Sequence, residues 1–446
     1  MINTFSLRQL LIITGIIPYL ILFACWPFYL DIRIHESVGI NPERLVLIWV
    51  CVLWIMLLLT DKHYLTHAIN KTLEYKWIFI VVLVFISSRL LSLMQSDDVF
   101  YSSLLFINEL ITNYLLMYIV FLTIKTKKEL YLILKVLFYC LIGVSIFTII
   151  ESIFEYNIFT GLTEGVSKSS MIAKTVKMRD GVYRAQAIFE HPLSLAQYLV
   201  FLLPVLLFSN ILRLNVTIRL LSVGLVLFAL ILTMTRTSFV VLSLIIFLYV
   251  FHYIWNIKIY NYSQFFLKYI IYLILLIIFI PGGVVTGRVI IGSQGSEALS
   301  SSLTRIDQIM VGYALVKEKP FLGYGVGMAG ELMLESSKST PYVLHTDSID
   351  NMYLKLVVES GIISLILFLV FLIAVVVTVW NNQSKTTDRC LKKFYLWGAL
   401  SIVGFIVSMS VLAIFTVLPL LYLIIGVLLD YSSNSNSFKS RLIVKL

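Results

Sequence analysis

Long apolar runs recur along the whole sequence and constrain the fold more than any other feature. Each run is roughly 16 to 25 residues long, the length of helix that crosses the hydrocarbon core of a bilayer. Backbone groups inside lipid have no water to bind, so we expect every run to be an α-helix. There are twelve runs, or eleven if the last two form one span, centred in residues 11–30, 45–60, 77–94, 103–124, 131–150, 192–209, 220–235, 238–254, 267–281, 361–380, 394–411 and 412–429.

The composition supports the same class of protein. Of the 446 residues, 60% are hydrophobic and only 13% are charged, which excludes the several soluble domains that the length alone would suggest. We therefore predict an all-α, polytopic membrane helix bundle with about 12 transmembrane helices, forming a single integral membrane domain over residues 1–446. Two polar interruptions, 155–191 and 282–360, predict two long loops that contain short amphipathic helices.

Lysine and arginine residues in the short connections predict the orientation, because cytoplasmic loops carry an excess of them. With both termini in the cytoplasm, the inside segments hold 18 such residues and the short outside loops hold three, Arg33, Arg44 and Arg236. Both long loops are then extracytoplasmic. The net charge of +10 largely reflects this orientation signal, so we expect no nucleic-acid partner.

The four cysteines do not indicate a disulfide framework or a zinc site. Cys25, Cys51, Cys140 and Cys390 fall in predicted spans or on the cytoplasmic side, and none lies in the long loops. Their spacing matches no zinc pattern. We interpret them as small apolar residues of the bundle.

A few polar residues interrupt the predicted spans, notably Arg89, Asn108, Glu109 and Asn113. Polar groups at membrane depth are costly and usually face a cavity or one another. For Glu109 we favour a structural hydrogen bond between helices over a functional role.

The first long loop ends with residues that could carry chemistry. Arg184 closes a basic stretch, and Glu190 and His191 follow immediately before the next span, which places them at the membrane surface. Arg236 lies in a tight outer turn, Met234-Thr-Arg-Thr-Ser238, between two spans. An ordinary interfacial arginine that binds headgroup phosphate is an equally good interpretation of Arg236.

The second long loop begins with an amphipathic pattern. Apolar residues recur every three or four positions over 303–314, which predicts a helix that Pro320 ends. Thr304 followed by Asp307 fits a capping box. We therefore expect Arg305 in the first turn of this helix.

A cluster of glycines follows at Gly323, Gly325 and Gly327. The letters from Gly325 to Gly330 match the dinucleotide pattern G-x-G-x-x-G, but no strand precedes them and no acidic residue follows at the required distance. We interpret the cluster as a tight loop turn at which the backbone approaches a ligand or another helix.

The end of the second loop carries a histidine and several acidic residues. Past His345 the pattern predicts a helix that is capped by Asp347 or Ser348 and carries Asp350 in its first turn. His345, Asp347 and Asp350 also suit a divalent metal ion, but an aspartate before a helix is more often a cap. We expect no metal site.

External arginines, carboxylates and imidazole together suggest a reaction. Arginine binds phosphate oxygens in a fork and keeps its charge, and a neighbouring carboxylate or imidazole can take a proton from a hydroxyl group. These groups suit displacement of a phosphate or diphosphate leaving group by an alcohol. A lipid-linked substrate would explain why such a site is embedded among so many spans.

The motifs come in a fixed order over residues 180–375. They are Arg184-x-x-Ala-Ile-Phe-x-His-Pro192, Thr235-Arg-Thr-Ser238, Arg305, Pro320-Phe-Leu-Gly-Tyr-Gly-x-Gly327, Asp350-Asn-x-Tyr-Leu354 and Glu359-Ser-Gly-Ile-Ile363. This order, with the topology of the whole chain, resembles the O-antigen ligase and polymerase superfamily of bacterial envelopes.

The resemblance implies a membrane glycosyltransferase that uses an undecaprenyl-diphosphate-linked oligosaccharide as donor, inverts the anomeric carbon and needs no metal ion or other cofactor. Carried onto this chain, Arg184, Arg236 and Arg305 would bind the diphosphate and stabilise its developing charge. Ligases of the superfamily have a histidine at the position of Asp350, so its replacement favours a polymerase. The general base stays open between Asp350, His345 and Glu190.

We therefore expect a polymerase of O-antigen, capsule or similar polysaccharide in the bacterial cytoplasmic (inner) membrane. A ligase that transfers the glycan to lipid A core or to a protein is the nearest alternative. A flippase of the lipid-linked sugar and a non-enzymatic assembly protein belong to other classes, and the long external loops argue against the flippase. Expected partners are the lipid-linked oligosaccharide, the bilayer, and a chain-length regulator and flippase of the same pathway.

Overall fold

The computed structural model describes residues 6–27, 29–30, 32–35, 38–162, 172–179, 181–255, 296–338, 349–412 and 416–429. Within these ranges the chain is helical apart from turns and two short antiparallel hairpins. The hairpins pair β1 (Ile32–His35) with β2 (Val38–Ile40), and β3 (Met178–Arg179) with β4 (Val182–Tyr183). The prediction of an all-α fold is confirmed.

The principal helices follow one another with short connections. In chain order they are α1 (Leu7–Cys25), α2 (Pro42–Thr60), α3 (Lys62–Glu74), α4 (Lys76–Gln95), α5 (Val99–Thr123), α6 (Lys127–Phe154), α7 (Ile158–Leu162), α8 (Pro192–Phe208), α9 (Val216–Leu232), α10 (Arg236–Trp255), α11 (Ser296–Glu318), α12 (Ala329–Lys338), α13 (Met352–Lys385), α14 (Arg389–Met409) and α15 (Leu418–Leu429).

Eight of these helices are long and apolar enough to cross a membrane, namely α1, α2, α4, α5, α6, α10, α13 and α14, and three shorter apolar helices join them, α8, α9 and α15. Each of these eleven helices overlaps one predicted span. The remaining predicted span, 267–281, lies outside the described residues. The last two predicted spans are separate helices, because α14 ends at Met409 and α15 begins at Leu418.

The hydrophobic core is centred on two helices that are apolar on every face. Every residue of Pro192–Leu203 in α8 except Leu193 is buried, as are residues 420–429 of α15. A helix without a polar face belongs inside a bundle. Outer helices instead expose apolar side chains such as Leu59 and Leu221, which suits contact with lipid.

The two ends of α14 contact different sets of loops. At its start, Asp388 pairs with Lys127 at 2.9 Å, and both belong to segments predicted to be cytoplasmic. Just past its end, the Ser410 carbonyl accepts a hydrogen bond from Asn351 Nδ2 at 2.8 Å, and these segments were predicted outside. The segments predicted to be cytoplasmic therefore lie at one end of α14 and those predicted outside lie at the other, as the predicted topology requires. Which end faces the cytoplasm stays a prediction.

The long helix α13 contains a break at Gly361, where φ is 77° and ψ is 173°. The turn that follows Pro320 packs into this break. The amide of Ile362 donates to the Pro320 carbonyl at 2.9 Å, and a Cβ atom added at Gly361 would overlap the carbonyl oxygen of Phe321. Only glycine adopts this conformation and leaves this space.

The glycine cluster of the second loop closes over the same break. Gly323, Gly325 and Gly327 all have positive φ angles, and the Gly325 amide donates to the Glu359 carbonyl of α13 at 2.9 Å. A Cβ atom at Gly325 would lie 2.5 Å from the side chain of Ser96, just after α4. Of the two interpretations left open by the sequence, the structure supports close approach to other helices.

Substitution of Gly361 by alanine is expected to destabilise the protein by about 3 kcal/mol or more, from backbone strain and the clash with Phe321. Gly224→Ala in α9 is the matched control, because nothing lies within 4 Å of its added Cβ atom. Thermal melting of the detergent-solubilised variants would measure the difference. Equal melting temperatures for both variants would contradict the close approach at Gly361.

Candidate functional site

The first group of basic residues gathers on the turn between α9 and α10. Arg184 Nε donates to the Thr233 carbonyl at 3.1 Å, and Arg179 Nη1 donates to the Met234 carbonyl at 3.0 Å. These carbonyls follow the C-terminus of α9, where helix carbonyls lack intrahelical partners and cations bind favourably. The first loop is thereby fixed to the turn that carries Arg236.

The turn itself has the predicted form. α9 ends at Leu232, Met234 adopts a positive φ of 51°, and Arg236 is the first residue of α10. The side chain of Arg236 is half-buried. Two candidates, Arg184 and Arg236, therefore lie at the same turn, and Arg179 joins them.

The surroundings of this turn carry a positive electrostatic potential. Burial and then Arg179 lower the pKa of Arg184 to about 10, and burial and then Arg184 lower the pKa of Lys177, which Glu190 partly opposes. Burial, followed by Arg184 and Lys177, lowers the pKa of His191 to about 3. Closely spaced basic groups whose pKa values are lowered by one another favour the binding of an anion such as phosphate.

His191 and Glu190 have different positions in this group. His191 is the N-cap of α8, and its Nδ1 accepts a hydrogen bond from the Leu193 amide at 3.1 Å. In this contact Nδ1 is an acceptor and carries no proton, which agrees with the neutral form that burial, Arg184 and Lys177 favour. Glu190 is half-buried, and its charge acts on Lys177 and Tyr29, so this candidate base lies beside the cations of the first loop.

Acidification is expected to destabilise the first loop through His191. Its folded-state pKa of about 3 lies below the ordinary 6.5, so over this interval the unfolded chain binds the proton and the folded chain does not. Stability is therefore fully present above about pH 6.5 and falls as pH decreases, by up to about 1.4 kcal/mol per pH unit. His191→Asn, which can still cap α8, should flatten melting temperature against pH between 6.5 and 4, whereas replacement of the exposed His63 should not. An unchanged pH slope in His191→Asn would contradict this assignment.

The second group joins α11 to the start of α13. Arg305 Nε lies 3.8 Å from Asp350 Oδ2, and both side chains are about two-fifths exposed. The Asp350 amide also donates to Gln308 Oε1 at 3.1 Å. Burial raises the pKa of the Asp350 carboxyl above its ordinary value, against the opposite effects of Arg305 and Gln308. A carboxylate with a raised pKa holds a proton more readily and is a better general base.

The predicted start of α11 is wrong. The helix already includes Ser296, so Arg305 lies in its middle and Thr304 with Asp307 does not form an N-terminal capping box. Apolar spacing continues upstream of Leu303 to Leu299, which lets the helix extend through the serine-rich segment.

The cap of α13 also differs from the prediction. The helix begins at Met352 and its N-cap is Asn351, whose Oδ1 accepts from the amides of Tyr353 and Leu354. Asp347 and Ser348 therefore do not cap it, and Asp350 precedes the helix instead of lying in its first turn. Asn351 occupies the N-cap position because its short side chain reaches both free amides of the first turn.

The motif Asp350-Asn-Met-Tyr-Leu354 fixes this candidate base to α14. Besides the bond from Asn351 to Ser410, Tyr353 Oη donates to the Ile406 carbonyl at 2.6 Å. On the other side, Gln197 of α8 donates to Ser408 Oγ at 2.8 Å. The last turn of α14 therefore connects to both α13 and α8, and the two groups of candidates lie at one end of the bundle.

Two of the sequence candidates for metal binding lie beyond what the structure describes. His345 and Asp347 fall in residues 339–348, outside the described ranges. In the part of the chain that the structure describes, no group of three His, Cys, Asp or Glu residues is placed to hold a metal ion.

A buried ion cluster connects the site to the first half of the bundle. Arg89 of α4 is 3% exposed, and its Nη2 lies 2.6 Å from Glu109 Oε2 and 3.7 Å from Glu359 Oε2. Its Nη1 donates to Ser360 Oγ at 3.2 Å. The hydrogen bond between helices expected for Glu109 is confirmed. The sequence does not predict that Arg89 is the partner of Glu109, or that the cluster reaches the break in α13. The available signal was the presence of charged residues inside apolar runs.

The fold and this site define a multi-pass membrane protein with cationic groups at one end of the bundle. A family model described as O-antigen ligase matches residues 221–369, which contain Arg236, Arg305 and Asp350. The match confirms the resemblance to the O-antigen polymerase and ligase superfamily over this part of the chain. The family points to membrane glycosyl transfer of the ligase or polymerase type. A comparison with curated proteins finds no match.

Proposed function

We propose that the protein is a polymerase that joins undecaprenyl-diphosphate-linked oligosaccharide repeat units into an O-antigen, capsule or similar surface polysaccharide. The observation that carries the proposal is the fixation of Arg184 and Arg179 on the α9–α10 turn, beside Arg236. Three arginines at one turn supply the positive charge and the forked donors that suit a diphosphate. The family match supports glycosyl transfer as the reaction.

In the proposed reaction, a hydroxyl oxygen of the acceptor sugar forms a bond to the anomeric carbon of the donor. The bond from that carbon to the diphosphate oxygen breaks, and the electron pair leaves with the lipid diphosphate. The acceptor attacks from the face opposite the leaving group, so the anomeric carbon is inverted. Arg184, Arg236 and Arg305 stabilise the negative charge that develops on the diphosphate, without a metal ion or other cofactor.

The acceptor hydroxyl must lose a proton, and Asp350 is the base that we propose. Its side chain is accessible, its pKa is raised, and Arg305 lies 3.8 Å away. The lowered pKa of His191 makes that imidazole a poor proton acceptor. Glu190 and His345 are the other candidates and are tested alongside Asp350.

The second candidate function is an O-antigen ligase that transfers the glycan to lipid A core or to a protein. The description of the matching family favours it. Asp350 favours the polymerase, because ligases that the chain resembles have a histidine there. Both functions use the same donor and the same arginines.

A flippase of the lipid-linked sugar is the candidate from another class. The charged cluster found inside the bundle argues against an open polar path, because Glu109 and Glu359 are both paired with Arg89. The candidate residues at the α9–α10 turn and before α13 lie instead at one end of the bundle.

The proposal includes a place and partners for the reaction. We place the protein in the bacterial cytoplasmic membrane with both termini in the cytoplasm, so that the two groups face the outer surface. A flippase would supply the donor there, and a chain-length regulator would act on the product.

The proposed function is tested with purified protein in liposomes, supplied with a defined lipid-diphosphate-linked repeat unit. A ladder of glycan lengths on a gel is the expected result. A single transfer to an added lipid A core acceptor, without a ladder, would establish the ligase instead. Movement of the donor across the bilayer without any new glycosidic bond would establish the transporter and overturn the proposal.

A further inference from the structure

A cleft lined by both apolar and polar side chains lies at the same end of the bundle as the arginines, and the reaction described above does not use it. It contains about 950 Å³ of empty space, part of it open to solvent. Its walls come from the end of α1, the starts of α2 and α15, the middle of α5, and Ile188 with Phe189 of the first loop. Ile188 is four residues from Arg184, so the same loop contributes to the cleft and to the first group of basic residues.

Two side chains in this cleft have polar atoms without a partner. Asn113 is 6% exposed, and its Oδ1 makes no hydrogen bond with the described residues; the same holds for Thr416 Oγ1. A buried, unsatisfied polar atom costs roughly 1–3 kcal/mol. These atoms, one on α5 and one just before α15, therefore favour a ligand that supplies hydroxyl groups.

The backbone of α5 helps to place Asn113. Residues Leu110–Leu115 form a π-helical turn, which widens the helix and changes the direction of its side chains; such turns are frequent at functional sites. Glu109, one residue earlier, also lines the cleft. Its Oε2 is held by Arg89 at 2.6 Å, so the carboxylate has a fixed position although its side chain is still 19% exposed.

An aromatic side chain lies at the edge of the cleft. Trp26 follows the end of α1 and is 38% exposed, and its Nε1 donates to the Leu30 carbonyl at 3.0 Å, which fixes the indole. The polar side chains around it include the amides of Asn41 and Asn108 as well as Asn113. An exposed apolar ring beside amides and a carboxylate suits a sugar ring, which has an apolar face and hydroxyl groups that both donate and accept.

We infer that this cleft is a saccharide subsite that binds the hydroxyl groups of a sugar residue through Asn113, Thr416 and Glu109, with Trp26 against its apolar face. The inference rests on the proposed function, because it assigns the sugar part of the same substrates. Glu43, Glu109 and Arg44 line the cleft, and two carboxylates with one guanidinium suit a diphosphate less well than the three arginines at the α9–α10 turn. The sugar can come from the donor repeat unit or from the growing acceptor glycan.

The test measures sugar binding in the absence of turnover. The probe is the repeat-unit oligosaccharide released from its lipid diphosphate, titrated into the purified full-length protein by calorimetry. Asn113→Ala and the nearly isosteric Thr416→Val should each weaken binding at least about tenfold. Asn381→Ala, a matched change of an exposed asparagine at the far end of α13, should leave binding unchanged. Wild-type affinity of both cleft variants for this oligosaccharide and also for a polymer fragment of several repeats, with normal melting temperatures, would overturn the inference.

Two further arms separate the sources of the sugar and the two proposals. If the variants bind a polymer fragment of several repeats more weakly but bind the single unit normally, the cleft belongs to the acceptor. If the variants lose affinity for the lipid-linked donor, the cleft belongs to the donor. If the variants lose saccharide binding but the wild-type protein makes no glycosidic bond, the proposed function is contradicted and the saccharide subsite is supported. If the wild-type protein forms a ladder of glycan lengths but binds neither saccharide, the subsite is contradicted and the proposed function is supported.

Discussion

Replacement of Arg184 by alanine is expected to lower the rate of glycosidic bond formation by about 100- to 1,000-fold, the usual effect of removing one charge-stabilising donor from a transition state. Arg184 is fixed at the α9–α10 turn by Thr233, so its guanidinium is already oriented before substrate arrives. In the proposed reaction the diphosphate gains negative charge as the glycosidic bond breaks, so its interaction with Arg184 would strengthen in the transition state. The loss should therefore appear mainly in kcat.

Two variants separate this role from a structural one. Arg184→Lys keeps the charge but loses the fork, so we expect an intermediate rate. Arg389→Ala removes an exposed arginine from the start of α14, at the opposite end of the bundle, and should have wild-type kinetics. Donor turnover by Arg184→Ala at the wild-type rate would contradict the diphosphate site. An equal loss in Arg389→Ala would show that general charge is responsible.

Replacement of Asp350 by asparagine is expected to lower the rate by about 100- to 10,000-fold, the range for loss of a general base. The change is nearly isosteric. It removes an accessible ion pair with Arg305, and pairs of this kind contribute only about 0–1 kcal/mol, so the melting temperature should hardly move. Loss of rate without loss of stability is the signature of the proposed role.

The pH dependence gives an independent check on Asp350. Burial raises its pKa above the ordinary 3.8, and the base is the ionised form, so the rate should rise with pH as the carboxyl loses its proton and this acidic limb should disappear in Asp350→Asn. Asp97→Asn, a change of an exposed aspartate after α4, should retain the wild-type profile. Full activity in Asp350→Asn would transfer the role to Glu190 or His345, for which Glu190→Gln and His345→Ala are the variants.

The sequence predicts the membrane helices well because their signal is local and physical. A span needs about 20 apolar residues whatever surrounds it, so α8 and α15 are recognisable although each is buried in the bundle. Helix starts are less predictable, because several residues near a boundary can cap. Asn351 caps α13 where Asp347 and Ser348 were predicted, and α11 begins before the capping pattern at Thr304.

Contacts distant in sequence could not be predicted. Arg184 was chosen for its neighbours in the chain, but its position is set by Thr233, 49 residues away. Arg89 binds Ser360, 271 residues away, and nothing local in either segment specifies the other. The glycine cluster was predicted as a close approach, yet only the fold identifies its partner as the break at Gly361.

The most direct test of the central claim counts the undecaprenyl diphosphate released for each glycosidic bond formed. Purified wild-type protein in liposomes receives the lipid-linked repeat unit with excess EDTA, and both products are quantified over time, beside Arg184→Ala. We predict one lipid diphosphate per bond, formed without a divalent metal ion, and a much lower rate of both in the variant. Bond formation that stops with EDTA, or that proceeds equally in Arg184→Ala, would contradict the role assigned to the arginines.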